Sequence, residues 1–226
     1  MIQRSDVCVL IPAYNEEKRI PAVIQAVQKH GFAVVGIDDG SKDRTAEAIR
    51  ASEAHCVVSP VNQGKGAAIR KGFDWVLQSP YQAVIVVDAD GQHNPSELDF
   101  FVNALAAGDA DLVIGNRMHD PEGMSFIRRC TNRGMSWIIS SVAGQKVPDT
   151  QCGYRAFTRK ALEKMVLRTS RFEIESEMIL SAGREGLRIT SIPIASVYRD
   201  EISRIRPVRD AVRFFIFLFK FIFSKK

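Results

Sequence analysis

Val84-Ile85-Val86-Val87 runs straight into Asp88-Ala89-Asp90-Gly91-Gln92-His93-Asn94-Pro95, so branched apolar residues give way to two carboxylates, an amide and an imidazole. The apolar run reads as a buried strand, and acids gathered at the C-terminal end of such a strand mark where α/β sheets hold ligands. Asp88, Asp90 and Gln92 stand at i, i+2 and i+4, so an extended chain carries all three on one side. Oxygen donors in that arrangement suit a hard divalent cation that keeps waters and substrate phosphates in its other positions. His93 is read as a hydrogen-bonding neighbour rather than a ligand.

Polar chemistry also closes the other apolar runs of the first half, at Asn15-Glu16, Asp38-Asp39, Asn62 and Asn116-Arg117. Any one of these alone reads as turn or cap chemistry, because Asp and Asn favour such places for backbone reasons. Together, at one edge of a sheet, they describe a binding crevice. Asp38-Asp39 can accept from hydroxyl and amide donors, which suits a ribose and a nucleobase edge. Lys65, within Asn62-Gln63-Gly64-Lys65-Gly66, can meet a phosphate or a base, or stand as a solvated loop lysine. Neither GxxxxGK[ST] nor a GxGxxG after the first strand is present, which argues against a P-loop NTPase and against a nicotinamide or flavin enzyme. Glu173, Glu175 and Glu177 alternate and could supply a general base to a hydroxyl acceptor, with Glu175 the foremost candidate; Glu173 reads better as a first-turn acid.

The elements that position these residues follow from periodicity. Strands are expected at Val7–Ile11, Ala33–Ile37, His55–Ser59, Val84–Val87, Leu112–Gly115 and Arg188–Val197, with a turn and strand within Val147–Thr158. Helical spacing covers residues 17–29, 44–52, 67–77, 96–107, 126–142 and 172–182. Asn62–Gly66 is expected to be a flexible loop. This alternation predicts an α/β protein with a single doubly wound, mostly parallel sheet and flanking helices.

The chain has 226 residues, 46% apolar and 25% charged, enough for one α/β domain with a full core. Cys8, Cys56, Cys130 and Cys152 form no CxxC pair, which argues against zinc and a disulfide framework and for a reducing compartment. The strand beginning by Val7 leaves no visible signal peptide. The net charge of +5 sits in residues 199–226, which hold eight Lys and Arg against three acids. A neutral body with a basic tail fits an anionic membrane surface, not nucleic acid. Phe214–Phe223 has nine apolar residues in ten, six of them Phe. As a helix it would reach about 15 Å, half of a hydrocarbon core of about 30 Å. Arg206, Arg209, Arg213 and Lys220 fall in one sector of about 60° at helical spacing, so an interfacial amphipathic helix is expected, with packing on the domain or a partner as the alternative.

Ile11-Pro12-Ala13-Tyr14-Asn15-Glu16, Asp38-Asp39-Gly40-Ser41 with Asp43 and Thr45, Asn62–Gly66, Asp88-Ala89-Asp90 with Gln92-His93, and Gly115-Asn116-Arg117 occur together in order. In this the chain resembles the family 2 glycosyltransferases of the GT-A fold, and within them the dolichyl-phosphate mannose synthase and polyprenyl-phosphate glycosyltransferase branch. The resemblance covers about residues 7–206. It implies nucleotide and donor contacts by Pro12, Tyr14, Glu16, Asp38, Asp39, Lys65, Asp88 and Arg204, the last in Ser203-Arg204-Ile205, where the family carries Lys. It implies Mg2+ or Mn2+ on Asp90 and Gln92, Arg117 over the acceptor phosphate, and Arg128, Arg129 and Arg133 in a basic helix that helps hold that phosphate. Asp90 and Arg117 are the implied catalytic pair.

The expectation is therefore a catalytic domain over residues 1–206 and a membrane-interfacial helix over 207–226. The expected reaction is metal-dependent, inverting transfer of a hexose from a GDP- or UDP-sugar to polyprenyl phosphate, at the cytoplasmic face of a membrane. A hydroxyl acceptor on a glycan or glycolipid is the enzyme alternative, and a non-catalytic sugar-nucleotide-binding subunit the alternative of another class. A sugar-nucleotidyltransferase is disfavoured, because Pro12-Ala13-Tyr14-Asn15 stands where its Gly-rich loop belongs. A membrane-anchoring partner and self-association are both left open.

Overall fold

The computed structural model describes residues 2–121, 123–195 and 207–223. The strands are β1 (Val7–Ala13), β2 (Ala33–Asp38), β3 (His55–Val58), β4 (Ala83–Val86), β5 (Leu112–Asn116), β6 (Arg155–Thr158) and β7 (Ile189–Pro193). They form one seven-stranded sheet in the order β3-β2-β1-β4-β6-β5-β7. All pairings are parallel except those of β6, which runs antiparallel to β4 and β5. The helices are α1 (Ile20–Lys29), α2 (Thr45–Ala51), α3 (Lys65–Leu77), α4 (Leu98–Ala106), α5 (Phe126–Ala143), α6 (Arg159–Lys164), α7 (Ile174–Arg184) and α8 (Pro207–Phe223). The α/β, mostly parallel expectation holds.

The core follows from the pattern of each element. β1 and β4 are buried along their whole length, as strands covered on both faces must be. α1 turns Ile20, Val23, Ile24 and Val27 inward, the stripe that its spacing requires. Cys8 lies inside this core, and burial pushes its thiol up to about 12, so it packs as a small apolar residue.

Several boundaries differ, each for a local reason. α1 starts at Ile20 rather than at residue 17, because Asn15 sits at φ 55° and the N–H groups of Glu16 and Glu17 donate to Thr45 and Asp43 side chains instead. α3 starts at Lys65, and the glycines before and after it are not there for flexibility. A Cβ on Gly64 would lie 2.5 Å from the Ser170 carbonyl oxygen, and one on Gly66 would lie 2.7 Å from that of Thr169. Their role is close approach of backbone to backbone. The short helix α6 carries no readable period, and its N-terminus is marked by Thr158, whose Oγ1 accepts from the Ala161 N–H. The final strand stops at Pro193 rather than continuing to 197.

α8 does not sort its aromatics onto one side as expected. Phe214 and Leu218 are buried, and Phe217 and Phe221 pack against the core, a single i, i+3, i+4, i+7 stripe laid on the domain. Arg184 of α7 holds that stripe, its guanidinium 3.8 Å from the Phe221 ring centroid. Phe215, Ile216, Phe219, Ile222 and Phe223 form a second, exposed apolar stripe. Domain packing and an outward apolar face therefore coexist. Leu218→Ala should lower stability by about 2–4 kcal/mol in urea titrations, whereas Phe219→Ala should stay within about 0.5 kcal/mol. Equal losses would contradict the two-stripe arrangement.

Candidate active site

The loops after β1, β2, β3, β4 and β5 meet at one edge of the sheet, as parallel strands dictate. β6 adds one more by its reversal. Arg155 pairs with Val86 of β4 and Ile114 of β5, so the loop that precedes β6 reaches the edge that the other strands reach with their ends.

Side chains stitch the first two loops together. The Asn15 N–H donates to Ser41 Oγ (2.9 Å), the Lys42 N–H to Asn15 Oδ1 (2.9 Å) and the Glu16 N–H to Thr45 Oγ1 (2.9 Å). Asp43 accepts from the Glu17 and Thr45 N–H groups. Pro12 is buried, Tyr14 and Glu16 are half-buried, and Glu16 pairs with Arg19 at 3.3 Å. Asp38 accepts from the Ser41 N–H (3.1 Å). Asp39 is only 3% exposed and accepts from the N–H groups of Gln63 (3.1 Å) and Gly64 (2.7 Å), while burial pushes its carboxyl up despite them. The two neighbouring acids thus fix the shape of the crevice from the inside.

After β4 the chain does not stay extended. It turns at Ala89-Asp90, and Gly91 takes φ 75°, so the alternation that placed Asp88, Asp90 and Gln92 on one side does not apply. Asp90 Oδ1 accepts from the Gln92 N–H (2.9 Å). Asp88 instead turns to Lys65, its Oδ1 lying 2.6 Å from Nζ, and the same ammonium lies 2.7 Å from Glu175 Oε1. Burial alone would lower the lysine pKa; Asp88 first and Glu175 next outweigh it and hold the group well above its usual range. Burial alone would likewise raise the Asp88 carboxyl, but Lys65 and then His93 hold it well below the carboxylate range. His93 Nε2 is 3.7 Å from Asp88 Oδ2, with the ring packed on Tyr154 at 4.8 Å, the neighbour role expected of it.

Glu177, two residues beyond Glu175, has a different task. It accepts from the N–H groups of Arg168 and Thr169 (both 2.9 Å), stapling the loop against which Gly64 and Gly66 press.

On the far side, Arg117 is buried and grips Asp149 with Nε (2.7 Å) and Nη2 (2.9 Å). Asn132 of α5 donates to the same carboxylate (2.7 Å), and Ser136 bonds Thr150. Of the arginines expected in this helix, Arg128 and Arg133 are exposed, and Arg129 is half-buried and donates to the Pro121 carbonyl. Arg204 lies outside the described residues.

Arg155, Asp149 and Gly153 were not singled out by sequence reasoning. Arg155 is fully buried and donates to the carbonyls of Cys152 (2.7 Å), Thr150 (2.8 Å) and Glu175. Gly153 lies so close to Asp88 that a Cβ would fall 2.2 Å from Oδ2. The signal available was a basic residue at the head of the small apolar strand Arg155-Ala156-Phe157, two positions after Gly153.

Among the described residues no group of three or more His, Cys, Asp or Glu is placed to hold a metal by itself. Asp90 and Gln92 offer half-buried hard oxygen donors, the sparse set that fits Mg2+ or Mn2+ when substrate phosphates complete the shell. Cys152 is fully buried, which pushes its thiol up to about 12 and removes it as a nucleophile.

The Arg117–Asp149 pair sets an acid limit. Burial opposes the charge on Asp149, but Arg117 and then Asn132 hold its carboxyl below the usual value. Its stabilisation is complete above the unfolded-state pKa of about 3.9 and is lost as pH falls through the folded value. Asp149→Asn should lose about 3–5 kcal/mol at neutral pH and show a shallower stability decline below about pH 4. Chemical denaturation across pH 2–7 checks both.

Residues 8–166 match the family model described as glycosyl transferase family 2. The chain is 35% identical to glycosyltransferase AglJ of Haloferax volcanii over 95% of its own length and 71% of the relative's. It is 30% identical to UDP-N-acetylglucosamine–dolichyl-phosphate N-acetylglucosaminyltransferase of Methanococcus voltae over 92% of both. With polyprenol monophosphomannose synthase of Mycolicibacterium smegmatis it shares 31% identity over 85% of this chain and 77% of that one. Glucosyl-3-phosphoglycerate synthase of Mycobacterium tuberculosis superposes with a TM-score of 0.75 at 22% identity, over 99% of this chain and 81% of the other. Another structure of that enzyme, at TM-score 0.72 and 18% identity over 97% and 77%, is in complex with Mn2+, uridine diphosphate and phosphoglyceric acid.

Proposed function

The chain belongs to glycosyl transferase family 2, and we propose that it moves a hexose, with inversion, from a nucleotide-diphosphate sugar to a polyprenyl phosphate at a membrane surface. The donor occupies the crevice between the β1, β2 and β4 loops, against Pro12, Tyr14, Glu16, Asp38 and Asp39. Asp90 and Gln92 take Mg2+ or Mn2+, which as a Lewis acid neutralises the leaving diphosphate. A structure of like fold in complex with Mn2+ and uridine diphosphate supports a divalent cation alongside a nucleotide donor. Arg204 is assigned to the diphosphate by its family position.

The state of the carboxylates favours a phosphate acceptor, and that observation carries this reading. A hydroxyl acceptor needs a general base, yet Glu175 is bound to Lys65 and Glu177 to the loop of residues 168–169. A lipid phosphate, with a second pKa near 6, is largely dianionic already and needs only positioning and charge stabilisation. Arg128, Arg129 and Arg133 supply positive charge at that end, while the charge of buried Arg117 is shared with Asp149. Relatives named for dolichyl-phosphate and polyprenol substrates support the same choice.

Two helices present outward faces suited to a membrane surface. No helix among the described residues is long and apolar enough to cross a bilayer. α5 turns Asn132 and Ser136 inward and leaves Phe126 (76% exposed), Ile127 (78%) and Trp137 (73%) outside, beside Arg128 and Arg133. α8 adds its outer stripe and Lys220. Apolar residues flanked by basic ones suit an interface rich in anionic headgroups. On this reading the enzyme works peripherally, at the cytoplasmic face.

Calorimetry with GDP- and UDP-sugars in Mn2+, followed by transfer assays with polyprenyl phosphate in detergent, tests the reaction. One donor should bind and yield lipid-linked sugar, and Asp90→Ala should lose the Mn2+-dependent part of donor affinity. Product only on hydroxyl acceptors would overturn the acceptor assignment. Replacing Phe215, Phe219 and Phe223 by Ser should leave stability near wild type and reduce sedimentation with anionic liposomes at least fivefold. Undiminished co-sedimentation would remove α8 from the membrane contact.

A further inference from the structure

We propose that Glu175 is a positioning residue for sugar transfer, acting through Lys65 to fix the Asp88 carboxylate at the donor edge. The inference rests on the transferase reading above and assigns the part played by a residue of α7 within it.

Lys65, Asp88 and Glu175 come from three separate segments, the start of α3, the end of β4 and the first turn of α7. Their side chains are 17%, 24% and 11% exposed, so each charge has lost most of its water. Two carboxylates on one ammonium, partly desolvated, are a poor way to stabilise a fold, since apolar residues of similar volume serve as well or better. Such a cluster beside a ligand edge calls for a functional reason.

The surrounding structure holds the trio from every side. Gly64 and Gly66 seat the start of α3 against Thr169 and Ser170, which fixes the root of Lys65. Arg155 holds the Glu175 carbonyl, which fixes the first turn of α7. Gly153 closes on Asp88 Oδ2, and His93 stands 3.7 Å from the same atom. Asp88 therefore has one orientation, two residues before Asp90. With both bonds made, Lys65 reaches the donor through Asp88, and neutralising the diphosphate falls to the cation and to arginines. Without Glu175, Lys65 keeps a single carboxylate partner and gains rotamer freedom, so Asp88 loses its fixed partner.

Glu177 provides an internal comparison, a carboxylate on the same helix whose partners are loop N–H groups. The experiment uses the full chain with whichever nucleotide sugar the wild type binds in calorimetry. Glu175→Gln should melt within a few degrees of wild type, raise donor Kd and donor KM about tenfold, and leave acceptor KM unchanged. Lys65→Met should raise donor Kd and donor KM likewise, at a larger cost in Tm because Asp88 and Glu175 lose their shared cation. The double variant should have a donor KM no worse than that of Lys65→Met alone, since both changes remove one linkage. Glu177→Gln should lower Tm more than Glu175→Gln does and raise donor KM less, because it loosens the loop behind Lys65 and leaves the ion pair itself intact. Wild-type donor KM in folded Glu175→Gln, or effects that simply multiply in the double variant, would overturn the proposal. Absence of donor binding by the wild type would instead sink the transferase reading, so the two failures are separable.

Discussion

The site depends on a guanidinium with no access to water. Arg155 reaches the ligand edge because β6 is reversed within a parallel sheet, and there it donates to carbonyls of Thr150, Cys152 and Glu175. A buried cation without hydrogen-bond partners would be prohibitively expensive, so the loop and helix that supply those carbonyls are obliged to come together. Two chains of contacts start from it. One runs through Glu175 and Lys65 to Asp88. The other runs through the loop of Asp149 and Thr150 to Arg117 and to Asn132 and Ser136 of α5. The donor edge and the arginine-bearing helix are thus organised around one side chain, although the residues involved span much of the chain.

That dependence explains what could be read in advance. β1, β2, β4 and β5 announce themselves, because a strand buried on both faces must be a run of branched apolar residues. Asp88 and Asp90 were legible because they interrupt such a run abruptly. What those acids do was less legible. The expectation that Asp88, Asp90 and Gln92 share a side assumed extended backbone, and Gly91 at φ 75° shows the chain turning there. Gly64 and Gly66 looked like flexibility, because sequence does not say which distant backbone will press against a missing Cβ. Asp149 and Arg155 were read as turn and strand because the partners that tie them to the site, Arg117 and Asn132 for the first and the Glu175 carbonyl for the second, lie on other segments. Periodicity reports local geometry, and long-range hydrogen bonds leave no period.

The tail carries the same lesson. Wheel geometry separated basic residues from phenylalanines and suggested one apolar face. The fold divides the phenylalanines in two, because Arg184 takes Phe221 and the core takes Phe214 and Leu218. A helix with two apolar faces can bind its own domain and still present apolar surface outward. A freely tethered amphipathic helix would instead have to choose between them.

α5 shows why the outward faces matter. Its inner face carries Asn132 and Ser136 beside Ile139 and Ala143, and the two polar side chains complete the bonding of Asp149 and Thr150. Phe126, Ile127 and Trp137 are left facing out. In water that arrangement is unfavourable, since the exposed rings order solvent without gain. Against a bilayer it becomes favourable, and the arginines beside those rings then lie at headgroup depth, where a lipid phosphate is presented. On the proposed function, α5 serves both partners, Asn132 bracing the Arg117–Asp149 pair from within while Phe126, Ile127 and Trp137 meet the membrane that delivers the acceptor.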